Sequence, residues 1–117
     1  MPVTTIYHNP RCSKSRQTLQ LLKDNAIEPE VVLYLEQPLT PSQIRDVLTK
    51  LGMTARQLLR KGEAAYKENN LADETLSEEQ IIQLMVEFPK LIERPIVIRG
   101  DKAMIGRPPE SVLTLLA

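Results

Sequence analysis

The residues best suited to chemistry lie close together near the start of the chain, in Tyr7-His8-Asn9-Pro10-Arg11-Cys12-Ser13-Lys14-Ser15-Arg16. Cys12 is the single cysteine of the 117-residue sequence. An apolar run over 3–7 precedes this stretch and reads as a strand; Leu19, Leu21 and Leu22 follow it and read as the first turns of a helix. Cys12 is therefore expected in a strand-to-helix loop, at or one residue before the helix N-terminus. Unpaired backbone N–H groups and the positive end of the helix dipole favour an anion there. A thiol in such a place can fall from its free pKa of about 8.5 to roughly 3.5–7.5, which makes it a nucleophile at neutral pH. His8, Arg11, Lys14 and Arg16 add positive or titratable neighbours. The competing reading is a small buried cysteine packed as a hydrophobe. The polar, basic loop argues against it.

Three arginines are the second candidate set. Arg60, Arg94 and Arg107 each fall at or beside an element boundary, and Arg94 and Arg107 each precede a proline. The residue before a proline is held in extended backbone. A guanidinium offers a planar fork of donors that matches a tetrahedral oxyanion. Taken singly, each arginine is also compatible with a solvated surface charge.

These groups need a scaffold, and the patterning supplies one. The first helix runs from Cys12 or Ser13 to about Asn25, with Ser15, Leu19, Leu22 and Ala26 on one face. After Glu28-Pro29, the run Val31-Val32-Leu33-Tyr34-Leu35 suits a strand buried on both faces. Strand, helix and strand make a βαβ unit with parallel strands. Pro38 and Pro41 break that pattern, and 40–88 reads as short helices. Thr40 is a cap with Pro41 behind it; Ile44, Val47, Leu48 and Leu51 form a stripe, and Gly52 ends it. A second helix begins near Thr54 and carries Leu58, Leu59 and Arg60. A third covers 63–69, anchored by Tyr66. Ser77 to Gln80 has capping-box spacing, ahead of a stripe of Ile81, Leu84, Met85 and Phe88. Ile96-Val97-Ile98 and Ala103-Met104-Ile105 then read as a hairpin turned by 99–102. A last helix starts at Pro109 and carries Val112, Leu113, Leu115 and Leu116.

Composition narrows the function. Lysine plus arginine and aspartate plus glutamate both total 15, so nothing points to nucleic acid or to an anionic membrane surface. No apolar run approaches the roughly 18–20 residues of a membrane span, and the N-terminus lacks a signal-peptide pattern. A cytoplasmic protein is expected. One cysteine excludes an internal disulfide, so any disulfide chemistry uses a sulfur from another molecule. One cysteine and one histidine are too few for a usual zinc site, so no metal is expected. The four glycines are scattered and form no phosphate loop.

The order β-α-β, helical insertion, β-β-α is that of an α/β, thioredoxin-like fold. It predicts a single domain over 1–117 with the insertion at about 40–88. In that fold a reactive thiol occupies the first strand-to-helix loop and a cis-proline lies beside it; Pro95, directly before a strand, fits that position. The chain resembles the arsenate reductases that use glutathione and glutaredoxin. The resemblance rests on Tyr7-His8-Asn9-Pro10 before Cys12, Ser15-Arg16 after it, Tyr34-Leu35-Glu36, Leu58-Leu59-Arg60-Lys61, Leu71-Ala72, Arg94-Pro95-Ile96-Val97 and Arg107-Pro108. It implies that Cys12 is the nucleophile, that Arg60, Arg94 and Arg107 bind the oxyanion, and that His8 and Ser15 lower the thiol pKa. It further implies a protein with no bound cofactor, acting on arsenate or a similar oxyanion, with glutathione as co-substrate and glutaredoxin as partner; a monomer is expected. Two alternatives stand beside it. One is a thiol–disulfide or deglutathionylating oxidoreductase without arsenate activity. The other is a redox-sensing regulator that binds RNA polymerase. Members of that regulator branch often carry C-x-x-C, whereas Ser15 occupies the second position here, which favours an enzyme.

Overall fold

The computed structural model describes residues 3–37 and 39–115. It divides the chain into two units: one built from the sequence up to Gln37 and from Arg94 onward, the other from the segment between them.

The first unit is a four-stranded sheet with helical cover. Its elements are β1 (Thr4–Tyr7), α1 (Ser13–Asp24), β2 (Glu30–Val32), β3 (Ile96–Arg99), β4 (Lys102–Ile105) and a 3₁₀ helix over Pro109–Leu115. Strand order is β2-β1-β3-β4, with β2 parallel to β1 and both other pairings antiparallel. The register sets Ile6 opposite Val97 and Tyr7 opposite Ile96. Ile6, Leu22, Val97 and Val112 form the fully buried core of this unit, so strand, helix and terminal segment close over one another. Arg99 pairs with Lys102 across a two-residue turn whose first residue, Gly100, has φ 63°. Tight hairpins need a positive φ there, and glycine adopts it without steric cost.

Three expectations for this unit change. The second strand covers only Glu30–Val32 and forms a sheet edge, with Val31 43% exposed. An edge strand is not buried on both faces. The chain leaves the ladder after Val32 and turns, with Glu36 and Gln37 both donating N–H to the Leu33 carbonyl. Tyr34 lies in that turn, outside the ladder, and is buried there. Ala26 does not join the apolar face of α1. It is exposed at φ 62°, where Ala26 N–H donates to Lys23 O and Ile27 N–H to Leu22 O. That is a Schellman end, a geometry usually given to glycine. The final helix is 3₁₀ over its described length. Pro38 and Leu116, which the sequence reading used, lie outside the described residues.

The second unit is helical: α2 (Pro41–Leu51), α3 (Ala55–Leu58), α4 (Ala64–Glu68), α5 (Glu78–Glu87) and a 3₁₀ turn at Pro89–Leu91. Thr40/Gln43, Thr54/Gln57 and Ser77/Gln80 each close a full capping box, so three helix starts are written in the local sequence. Gly52 ends α2 at φ 68°. Ile44, Val47, Leu48, Leu58, Ile81 and Met85 are buried, as the stripes predict. Phe88 is not: it lies past the end of α5 and is 37% exposed, and Ile82 is buried instead. The Arg45 guanidinium makes a two-pronged pair with Glu79, joining α2 to α5.

Candidate active site

Cys12 is the N-cap residue of α1, with extended backbone at φ −94° and ψ 123°. Its carbonyl accepts the Arg16 N–H at 3.0 Å, and its own N–H donates to Asn9 O at 3.0 Å. A serine or aspartate at this position would offer a side-chain oxygen to the first-turn N–H groups. Here the sulfur occupies that place. No cap bond from sulfur meets strict geometry, yet the Ser15 and Lys14 N–H groups act on it in the sense that favours its anion.

Cys12 is 9% exposed, and burial by itself pushes the thiol up. The Ser15 N–H, the Arg94 guanidinium, the Lys14 N–H and the Arg107 guanidinium together outweigh that, and the net shift is downward. The last contact is direct: Arg107 Nη2 lies 3.6 Å from Cys12 Sγ. Arg107 is aimed by its other edge, where Nε donates to Arg94 O at 2.8 Å. One arginine therefore holds the other through its backbone. Both Arg94-Pro95 and Arg107-Pro108 are cis peptides; the first agrees with the fold analogy, and the second carried no signal in the sequence.

The site has a support that the sequence reading missed. Gly106 is packed so closely that a Cβ there would meet Thr18 Oγ1 at 2.5 Å and Pro95 Cγ at 2.8 Å. Thr18 is fully buried on α1 and donates to Lys14 O at 2.8 Å. Gly106 N–H donates to Pro95 O at 2.9 Å. The end of β4 thus meets α1 backbone to side chain, directly before Arg107. The available signal was the glycine itself, next to an Arg-Pro pair.

His8 and Ser15 are both buried and hydrogen-bonded to each other, Ser15 Oγ to His8 Nδ1 at 2.7 Å. Ser15 Oγ also accepts the Asn9 N–H at 3.0 Å. Burial, then the charges of Arg16 and Lys23, hold the His8 pKa below its usual value, so the imidazole is neutral at pH 7. His8 thus adds no positive charge near the thiol. Its pair with Ser15 instead ties the end of β1 to the first turn of α1, and Ser15 reaches Cys12 through its backbone N–H. Arg11 and Lys14 are exposed, and neither guanidinium nor ammonium is among the charges that move the thiol. The expectation that the loop cations acidify Cys12 gives way to Arg94 and Arg107.

Arg60 belongs to the helical unit. Its N–H donates to Leu91 O at 2.8 Å, and its guanidinium pairs with Glu63 and approaches Glu93 at 3.8 Å. The structure thus brings together Cys12, His8, Ser15, Arg94 and Arg107 within the first unit, and holds Arg60 between carboxylates in the second. Among the described residues no cluster of His, Cys, Asp and Glu could hold a metal ion. No helix among them is long and apolar enough to cross a membrane.

Residues 7–115 match the ArsC family. An uncharacterized protein of Escherichia coli (strain K12), YfgD, is 63% identical, the alignment covering 95% of this chain and 94% of that protein. The arsenate reductase of Haemophilus influenzae is 47% identical over 95% of this chain and 97% of its own length. Among solved structures, arsenate reductase from Vibrio cholerae superposes with a TM-score of 0.94 at 46% identity, covering 97% of each chain.

Proposed function

The chain belongs to the ArsC family, and on that premise we propose that it is a thiol-based oxidoreductase that reduces arsenate to arsenite. The observation that carries this reading is the Arg107 guanidinium, 3.6 Å from the Cys12 sulfur and oriented by Arg94 O. A disulfide exchanger has no need of a guanidinium fork at its sulfur. An enzyme that must hold a tetrahedral oxyanion against a thiolate does.

The reaction proceeds in steps that balance. Arg94 and Arg107 hold the oxyanion while the Cys12 thiolate attacks arsenic(V) and one oxygen departs as water. Glutathione thiolate then attacks the Cys12 sulfur. The S–As bond breaks, arsenic takes the electron pair and leaves as arsenite, and a Cys12–glutathione disulfide remains. Glutaredoxin removes the glutathione by thiol–disulfide exchange. The single cysteine supports this route, because the second and third sulfurs must come from outside. Arg60 completes the oxyanion set by resemblance; the anion would have to share it with Glu63 and Glu93. His8 and Ser15 serve by fixing the loop. We read the chain as one domain with a helical insertion at 40–88, acting as a monomer in the cytoplasm.

Glutathione- and glutaredoxin-coupled arsenite production tests the reading. Arg107→Ala is expected to lower kcat/KM by roughly ten- to hundredfold, the equivalent of about 1.5–3 kcal/mol for one charge-assisted contact. Arg107→Lys should recover only part, since an ammonium keeps the charge but not the fork. Equal rates for all three proteins would remove Arg107 from the site. Disulfide chemistry at Cys12 without any arsenate reduction would leave the deglutathionylating oxidoreductase as the better reading.

A further inference from the structure

The charges of the chain balance, but not locally. Residues 7–23 contain Arg11, Lys14, Arg16 and Lys23 and no aspartate or glutamate. The Arg45–Glu79, Lys50–Asp46, Arg60–Glu63 and Arg60–Glu93 pairs lie in the helical unit. Arg11, Lys14 and Arg16 are exposed and, among the described residues, have no carboxylate within 4.0 Å. Arg16 is partly engaged, since its Nη1 donates to Pro10 O at 2.9 Å. The side chains of Arg11 and Lys14 make no such contact. These two cations lie close to Cys12 in the sequence, whereas the side-chain charges that lower its pKa are those of Arg94 and Arg107. An exposed cation close in sequence to the proposed nucleophile, without an internal partner, can act on what arrives from solvent.

A seat for a small visitor lies alongside. A recess of about 200 Å³ lies against the 8–11 stretch that leads into Cys12, lined by His8, Asn9, Pro10 and Arg11 on one side and by Leu33, Leu35 and Glu36 on the other. Its size suits part of a peptide-sized molecule, not a protein surface. We propose that Arg11 and Lys14 form a recognition rim for the co-substrate thiol, selecting a small thiol or disulfide that bears carboxylates, with the recess receiving its body. This deepens the proposed function and rests on its thiol chemistry. Glu36 is the one carboxylate on the recess and opposes the anion's approach.

The step to be measured is an exchange with no net redox change. The Cys12 thiolate attacks one sulfur of a disulfide, forms a mixed disulfide, and expels the other half as a thiolate. Three probes differ in charge: oxidised glutathione is anionic, bis(2-hydroxyethyl) disulfide neutral and cystamine cationic. Second-order rate constants at Cys12 are followed by intact-mass spectrometry. In the wild type, the rate with the anionic disulfide relative to the neutral one is expected to exceed that with the cationic one. The anionic-to-neutral ratio should fall by roughly three- to tenfold in Arg11→Gln/Lys14→Gln. It should fall likewise when the ionic strength is raised to about 1 M, where the screening length is roughly 3 Å. Glu36→Gln should raise the ratio. An unchanged rate with the neutral disulfide shows that the double variant is folded and its thiol intact. A ratio unmoved by the double substitution overturns the rim. So does a rim effect confined to exchange with glutaredoxin, which would make the partner a protein. None of these rates requires arsenate, so a failure of arsenate reduction leaves the inference standing on its own measurement.

Discussion

Two kinds of positive end converge on the Cys12 sulfur: backbone N–H groups at the start of α1, and the Arg94 and Arg107 guanidinium groups at the open end of the hairpin. Both favour the thiolate, and burial opposes them. The alkylation rate of Cys12 should therefore rise with pH through an inflection below the free-thiol value of about 8.5, and Arg107→Ala should move that inflection upward. The same shift enters folding. A group whose pKa is depressed in the folded state stabilises it above the unfolded pKa, and that contribution is lost as pH falls through the folded pKa. The stability of wild type relative to Cys12→Ser should thus climb as pH rises toward about 8.5 and then level off, as read by urea denaturation with the thiol kept reduced. A flat difference across that range would mean that the sulfur is no more acidic folded than unfolded.

At the scale of elements, two positions are tests of packing. Ala26 is the αL residue of a Schellman end at φ 62° and is exposed to solvent. An L-residue there costs roughly 1–2 kcal/mol that glycine avoids, less what glycine adds to the entropy of the unfolded chain. Ala26→Gly should raise stability by about 0.5–1 kcal/mol, with Cys12 reactivity unchanged. Gly106→Ala should do the opposite. Its Cβ would press on Thr18 and Pro95, and the segment beginning at Arg107 must shift. The thiol inflection should then move up toward that of Arg107→Ala even if the variant folds. The contrast also shows what the sequence made legible. Cys12 at the start of α1, the capping boxes at Thr40, Thr54 and Ser77, and the 99–102 turn all follow from neighbours in the chain. The position of β2 at the sheet edge, the burial of Tyr34 in a turn, and the Thr18–Gly106 contact 88 residues apart depend on tertiary pairing. Local pattern carries no record of those. The same holds for the cations: proximity in sequence points to Arg11 and Lys14, while the fold brings Arg107 to the sulfur from 95 residues away.

For the molecule as a whole, a single cysteine sets a ceiling. No internal disulfide can form, and Cys12 is 9% exposed. Oxidation of the purified protein in the absence of small thiols should yield at most a disulfide-linked dimer on a non-reducing gel, and Cys12→Ser should remain monomeric there. Oxidised glutathione should compete with that dimer, because a small disulfide reaches a recessed sulfur more easily than a second folded chain does. Higher covalent species would require chemistry at another residue.

With Cys12 as the proposed nucleophile, its place at the helix cap makes α1 an accessory to each step of the proposed reaction. An anionic sulfur is a good acceptor for the first-turn N–H groups, and a sulfur in a covalent bond is a weak one. Whenever Cys12 is occupied, the Lys14 and Ser15 amides lose the partner that favoured its anion. They are then free to meet whatever negative oxygen the adduct carries. When the thiolate is restored they return to it. On the proposed route the helix start would thus alternate between favouring the attacking thiolate and holding what it has attacked.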